Sequence, residues 1–223
     1  PKPITAATVG DAVAFFETND TMDLTDLQRD ALGEIFNIGV GRAASSLSQI
    51  VNDTVLLSAP EVMLVHREDA AKVLLGSEFP QFSTVSQHFS GAFDAEAMLV
   101  FPESNALEIV RLMVGPHMSV EELSEFEQEA MCEVGNIILN ACMSALADLF
   151  HIALNGTLPV HRFGDTESLA FLGGDDQMVL VLQVDMTISQ QRVQGHILFL
   201  LSVVSMRSML DCLDAYLREN GLL

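Results

Sequence analysis

The strongest constraint in this sequence is an internal repeat. Glu34, Asn37 and Pro60 recur as Glu133, Asn136 and Pro159, each displaced by 99 residues. In both copies two residues separate Glu from Asn, and 22 separate Asn from Pro. From ordinary residue frequencies, a second set at one fixed offset has odds on the order of one in ten thousand. The flanks agree too: Glu-Ile-Phe-Asn-Ile at 34–38 stands beside Glu-Val-Gly-Asn-Ile at 133–137. Such a chain is expected to fold as two related halves, so the pattern of elements should also repeat.

It does. Thr25 reads as a helix N-cap, Gln28 completes a capping box, and Asp26 lies where the helix dipole favours an anion. Apolar residues at 27, 31, 35, 38, 47, 50 and 51 follow with helical period. Strands are predicted at 55–57, 61–65, 85–93 and 97–101, a short helix at 68–75, and a helix over 103–114 stopped by Gly115 and Pro116. In the second half Ser124 and Glu127 read as another capping box, opening a helix from about 125 to about 150. Strands at 153–158, 169–172, 178–186 and 195–203 follow, then a helix from about 205 to 218. Long helices beside consecutive strands with short connections predict an α+β fold with mainly antiparallel pairing. Its internal halves are about 24–120 and 121–223. Residues 1–23 hold two prolines and a single apolar spot at 13–16, which predicts a flexible arm. A docking peptide built on Phe15 and Phe16 is the alternative.

Charge narrows the partners. Thirty-one acidic residues against ten basic ones give a net charge of −21, and Lys2 and Lys72 are the only lysines. Such a field repels nucleic acid and anionic lipid; solubility or a salty milieu accounts for the same excess equally well. No stretch reads as a membrane span and no secretory leader pattern is visible, so a cytoplasmic protein without membrane insertion is expected. Cys132, Cys142 and Cys212 form an odd set without metal-ligand spacing, and reduced thiols are the expected state. The six histidines show no ligand spacing either, Ser45-Ser46 lacks a partner base, and Gly173-Gly174-Asp175-Asp176 reads as a turn rather than a calcium loop. No cofactor or metal of the protein's own is expected.

What remains is the repeated pair. Positions i and i+3 share a helical face, so Glu34 projects with Asn37, and Glu133 with Asn136. Asp30 and Glu129, four residues before each Glu, extend the two polar stripes, and Gly41 offers a place where another surface can approach the first helix. A solvated helix face is the plain alternative, but Asn is a mediocre helix former and two at matching mid-helix positions require a reason.

These residues resemble the CheC-type phosphatases of chemotaxis, which act on the phosphorylated response regulator CheY. The family pattern is Asp or Ser, three residues, Glu, two residues, Asn, about 22 residues, Pro. Asp30, Glu34, Asn37 and Pro60 fit it fully; Glu133, Asn136 and Pro159 fit the second copy, with Glu129 where Asp or Ser is usual and Phe36 where Gly is common in the first. The resemblance covers about residues 24–220, and two motifs set the chain apart from one-motif CheX-type proteins. It implies a pseudo-two-fold unit with two long motif helices packed on an antiparallel sheet. It also implies a mechanism in which Asn37 and Asn136 orient the attacking water while Glu34 and Glu133 pair with the regulator's active-site Lys. Pro60 and Pro159 would shape the chain after each helix. Mg²⁺ would belong to the regulator. A binding role toward the receptor deamidase CheD, or action on a regulator outside chemotaxis, is the rival implication.

Overall fold

A computed structural model describes residues 23–58, 61–66, 69–70, 81–114, 119–165, 177–188 and 191–223. Most of the predicted N-terminal arm, Pro60, most of the 68–75 helix, the Gly115–Pro116 stop, the 169–172 strand and the 173–176 turn lie outside the described residues. The elements run α1 (Asp26–Val51), β1 (Val55–Leu57), β2 (Glu61–His66), β3 (Gln81–Gly91), β4 (Ala95–Pro102), α2 (Glu103–Val114), α3 (Val120–Phe150), β5 (Leu154–Gly156), β6 (Val160–Asp165), β7 (Gln177–Ile188), β8 (Gln191–Ser202) and α4 (Val203–Glu219). The architecture is α+β, as the element pattern predicts, and every strand pairing is antiparallel.

The two halves interlock. The hairpins β3–β4 and β7–β8 meet through β4 and β8 at the centre of one eight-stranded sheet. The short strands β1 and β2 of the first half pair with β7 of the second. In return β5 and β6 pair with β3. Each half thus completes the other's sheet edge, with motif helices leading into the exchanged strands.

Strand alternation sorts side chains between two apolar clusters. Leu180, Leu182 and Val184 join Leu99, Phe101 and Phe199 in the main core, where α1, α2, α3 and α4 pack. Val179 and Val181 join Met98, Leu198 and Ala70 on the other face. At the main face the motif helices approach so closely that a Cβ on Gly39 would sit 2.8 Å from Cys142 Cα. Gly41, by contrast, is exposed with nothing within 4 Å of an added Cβ, so its side of the helix is open to another surface. Arg42 and Asp148 close the same helix pair with a 2.7 Å ion pair.

Thr25 and Gln28 form the predicted capping box of α1. The second does not exist: α3 begins at Val120, so Ser124 lies within the helix. Glu127 is instead buried, with Oε1 lacking a hydrogen-bond partner among the described residues. Burial, with Glu103 nearby, pushes its carboxyl up to about 7. Strand β6 is absent from the predicted set. Within α3 the stretch Phe126–Phe150 is long and apolar enough to cross a membrane by length and composition, but its most apolar window is 56% buried inside this protein. It is the central core helix.

The three cysteines are free, and burial raises the Cys142 thiol to about 12. Among the described residues no group of three or more His, Cys, Asp or Glu is placed to hold a metal ion.

Candidate functional site

The structure brings each repeated motif to its own cleft. The first, about 440 Å³, is lined by Arg29, Asp30, Gly33, Glu34, Asn37 and the β2 residues Glu61 and Val62. Glu34 and Asn37 are both exposed, as the i, i+3 spacing requires of one outer face. Asp30 extends the stripe into the same cleft. Capping fixes where this face points: the Thr25 box sets the helix start, and buried Leu32, Ile35, Phe36 and Val40 hold the opposite side on the core. Ile38, counted with the apolar period, is 44% exposed beside Asn37.

The second cleft, about 580 Å³, collects Glu129, Glu133, Asn136 and Pro159, the described members of the second motif. Its other walls are more apolar, with Met113, Phe126 and Leu158, the last 84% exposed. Pro159 lies in the segment between β5 and β6, where its carbonyl accepts a 3.9 Å contact from the Cys132 thiol. Desolvation raises that thiol's pKa. Proline after the motif helix thus bounds the cleft in this copy.

The two asparagines do not sit alike. Asn37 makes no side-chain hydrogen bond among the described residues. Asn136 is half-buried, and its Oδ1 accepts from Asn140 Nδ2 at 2.8 Å and from Gln87 Nε2 at 3.3 Å. Asn140 Nδ2 also lies 2.7 Å from the Asn136 main-chain oxygen, and Gln87 Nε2 lies 2.8 Å from the Thr157 main-chain oxygen. Gln87, only 2% exposed on β3, and Asn140 are thus site residues that sequence reasoning missed. Asn140 carried a usable signal, one helical turn beyond Asn136 on the same face; Gln87 carried none, because the pairing spans 49 residues of chain.

The cause of the difference is the residue before each Asn. Phe36 is fully buried and stacks on Phe199 of β8, with ring centroids 5.2 Å apart. At the equivalent place on α3, Gly135 lies so near β3 that an added Cβ would overlap Val85 Cγ1. The missing side chain lets α3 settle onto β3 and brings Asn136 within reach of Gln87.

Chemically, each cleft presents a neutral amide among carboxylates: Asn37 with Asp30, Glu34 and Glu61 in the first, and Asn136 with Glu129 and Glu133 in the second. That combination suits recognition of a cation beside a phosphoryl group, with the amide left to bind water or a phosphoryl oxygen. His161, tied to Ser83 Oγ at 2.7 Å and stacked edge-on to Phe163, belongs to β6 packing.

Comparison with known proteins shows what the chain as a whole is similar to. The sequence model of the CheC-like family matches residues 27–64, which span the first motif. The chain is 26% identical over 200 residues to the CheY-P phosphatase CheC of Bacillus subtilis, covering 85% of this chain and 95% of that protein. It is 27% identical over 137 residues to the flagellar motor switch phosphatase FliY of the same organism, 60% of this chain but only 35% of FliY. The fold superposes on Thermotoga maritima FliY with a TM-score of 0.71 at 21% identity, over 87% of this chain and all of that one. It also superposes on the Helicobacter pylori FliM middle domain, with a TM-score of 0.58 at 13% identity, over 85% and 99% of the two chains.

Proposed function

We propose that this chain, whose residues 27–64 match the CheC-like family model and which is 26% identical to CheC over 200 residues, dephosphorylates a CheY-like response regulator by hydrolysing the regulator's aspartyl phosphate. The observation that carries this reading is the recurrence of an exposed Glu one helical turn before an Asn, each pair opening onto its own cleft. An acyl phosphate is already activated, and the regulator brings its own Mg²⁺ and Lys. The remaining task is to hold water in line with phosphorus. A neutral amide does this without adding anionic repulsion, since its oxygen accepts from water. By the repeat, Asn37 and Asn136 are the candidates for that role. Glu34 and Glu133, which the phosphoryl group alone would repel, are matched to the regulator's Lys by a charge-assisted contact.

The test is the lifetime of aspartyl phosphate on a purified regulator mixed with the protein. Asn37→Ala and Asn136→Ala should each slow its loss, and the double variant should return it to the regulator's intrinsic rate. A double variant as fast as the parent would overturn the mechanism.

A further inference from the structure

Resting on the phosphatase reading above, we infer that Gln87 and Asn140 latch the Asn136 carboxamide with its oxygen turned inward, so that the Asn37 site carries most of the water activation and the Asn136 site chiefly binds the phosphoryl group. Gln87 and Asn140 act here as positioning residues.

The orientation of the Asn136 amide follows from its neighbours. Main-chain carbonyls only accept, so the Thr157 oxygen at 2.8 Å fixes Nε2 as the inner end of Gln87, and the Asn136 main-chain oxygen at 2.7 Å fixes Nδ2 as the inner end of Asn140. Both NH₂ groups then point at the same atom of the Asn136 side chain, which must be its oxygen; turning that amide over would set three NH₂ groups against one another. An amide oxygen has two lone pairs, and both are occupied. The group left for the cleft is the NH₂, which donates to a phosphoryl oxygen but cannot accept a proton from water.

The repeat itself shows that this latch is an addition to one half. Ser58 N donates to Asp185 O at 2.9 Å and Asp185 N to Ser58 Oγ at 2.9 Å; 99 residues on, Thr157 N donates to His88 O at 2.9 Å and His88 N to Thr157 Oγ1 at 3.1 Å. The correspondence of Asp185 with His88 makes Val184 the counterpart of Gln87, and the 99-residue offset makes Gly41 the counterpart of Asn140. Both latch donors are therefore missing around Asn37. Together with Phe36 in place of Gly135, three positions separate an amide without a side-chain hydrogen bond among the described residues from a held one.

The experiment isolates the second site in an Asn37→Ala background and measures steady-state dephosphorylation of the phosphorylated regulator. Gln87→Val, which installs the residue found at 184, should raise kcat about fivefold by releasing an acceptor for water, with KM within about twofold of the parent. In an Asn136→Ala background the same change should do nothing. Asn140→Ala removes the other donor and should act in the same direction, which covers the case where Gln87→Val folds poorly. The side-chain ¹⁵N relaxation of Asn136 reports the latch directly: rigid in the parent, mobile after either release, while Asn37 is mobile throughout. An unchanged or lowered kcat with Asn136 released, or an Asn136 side chain as mobile as Asn37 in the parent, overturns the inference. If the unmutated protein leaves the aspartyl phosphate lifetime unaltered, the phosphatase reading falls instead, and the relaxation measurement alone decides whether the latch exists.

Discussion

Phe36 stacks on Phe199 with planes 15° apart, whereas its repeat counterpart Gly135 rests against Val85 with no room for a Cβ. One position thus packs each motif helix on the sheet, by a ring in one half and by a missing side chain in the other. Phe36→Ala should cost about 3–5 kcal/mol, since the ring is fully buried. Gly135→Ala should cost about 1–3 kcal/mol through overpacking despite the better helix propensity of alanine. Urea unfolding of both variants checks the pair; a Gly135→Ala protein as stable as the parent would show that α3 does not need this contact.

A second prediction concerns the crossing of the motif helices. A Cβ on Gly39 would meet Cys142 Cα at 2.8 Å and the Ala141 carbonyl at 3.1 Å, both backbone atoms that cannot swing aside. Gly39→Val should therefore destabilise the fold by roughly 2–4 kcal/mol, whereas Gly41→Ala, with open space around it, should be neutral or slightly stabilising. Thermal melts of the two variants give the comparison, and equal melting temperatures would refute the assigned contact.

How much of this was legible in the sequence follows from what each signal depends on. The helix over 103–114 and the strand over 55–57 match their predicted bounds because periodicity and local breakers alone define them. Clustering of the Glu–Asn pairs was legible because i, i+3 geometry is a property of one helix. The start of α3 was not: Ser124 followed by Glu127 imitates a cap, but the helix continues back to Val120. Strand β6 was missed because Val160–Asp165 lacks clean alternation and owes its state to pairing with β3. The exchange of β1–β2 and β5–β6 between halves, and Gln87 with it, arises only from long-range pairing.

Glu127 provides a pH test. Its carboxyl is raised from 4.5 to about 7, first by burial and then by Glu103. Between those values the folded protein keeps a proton that the unfolded chain has released. Stability therefore falls as pH rises from about 4.5 to 7 and is level above that, as far as this group is concerned. Glu127→Gln removes this slope. The stability difference between variant and parent should move in the variant's favour by roughly 2–3 kcal/mol across the window. Chemical denaturation at several pH values supplies the difference curve; a flat one would show that Glu127 ionises in the folded protein as readily as in the unfolded chain.

The net charge of −21 acquires a local meaning at the two clefts, where Asp30, Glu34, Glu129 and Glu133 line the proposed regulator-docking faces. In the first cleft Arg29 is the one cation among the lining residues, 3.7 Å from Asp26 and both exposed, so it neutralises the face only weakly. Reversing a single carboxylate should then act on encounter more than on chemistry. Glu34→Lys is expected to raise KM for the phosphorylated regulator about tenfold with a smaller change in kcat, and Glu34→Gln to act less strongly. Added salt should shrink the gap between parent and Glu34→Lys, because exposed charges at this range are screened at physiological ionic strength. Initial rates across regulator concentration at low and high salt provide the check. A Glu34→Lys protein with parental KM at low salt would remove this carboxylate from the docking face.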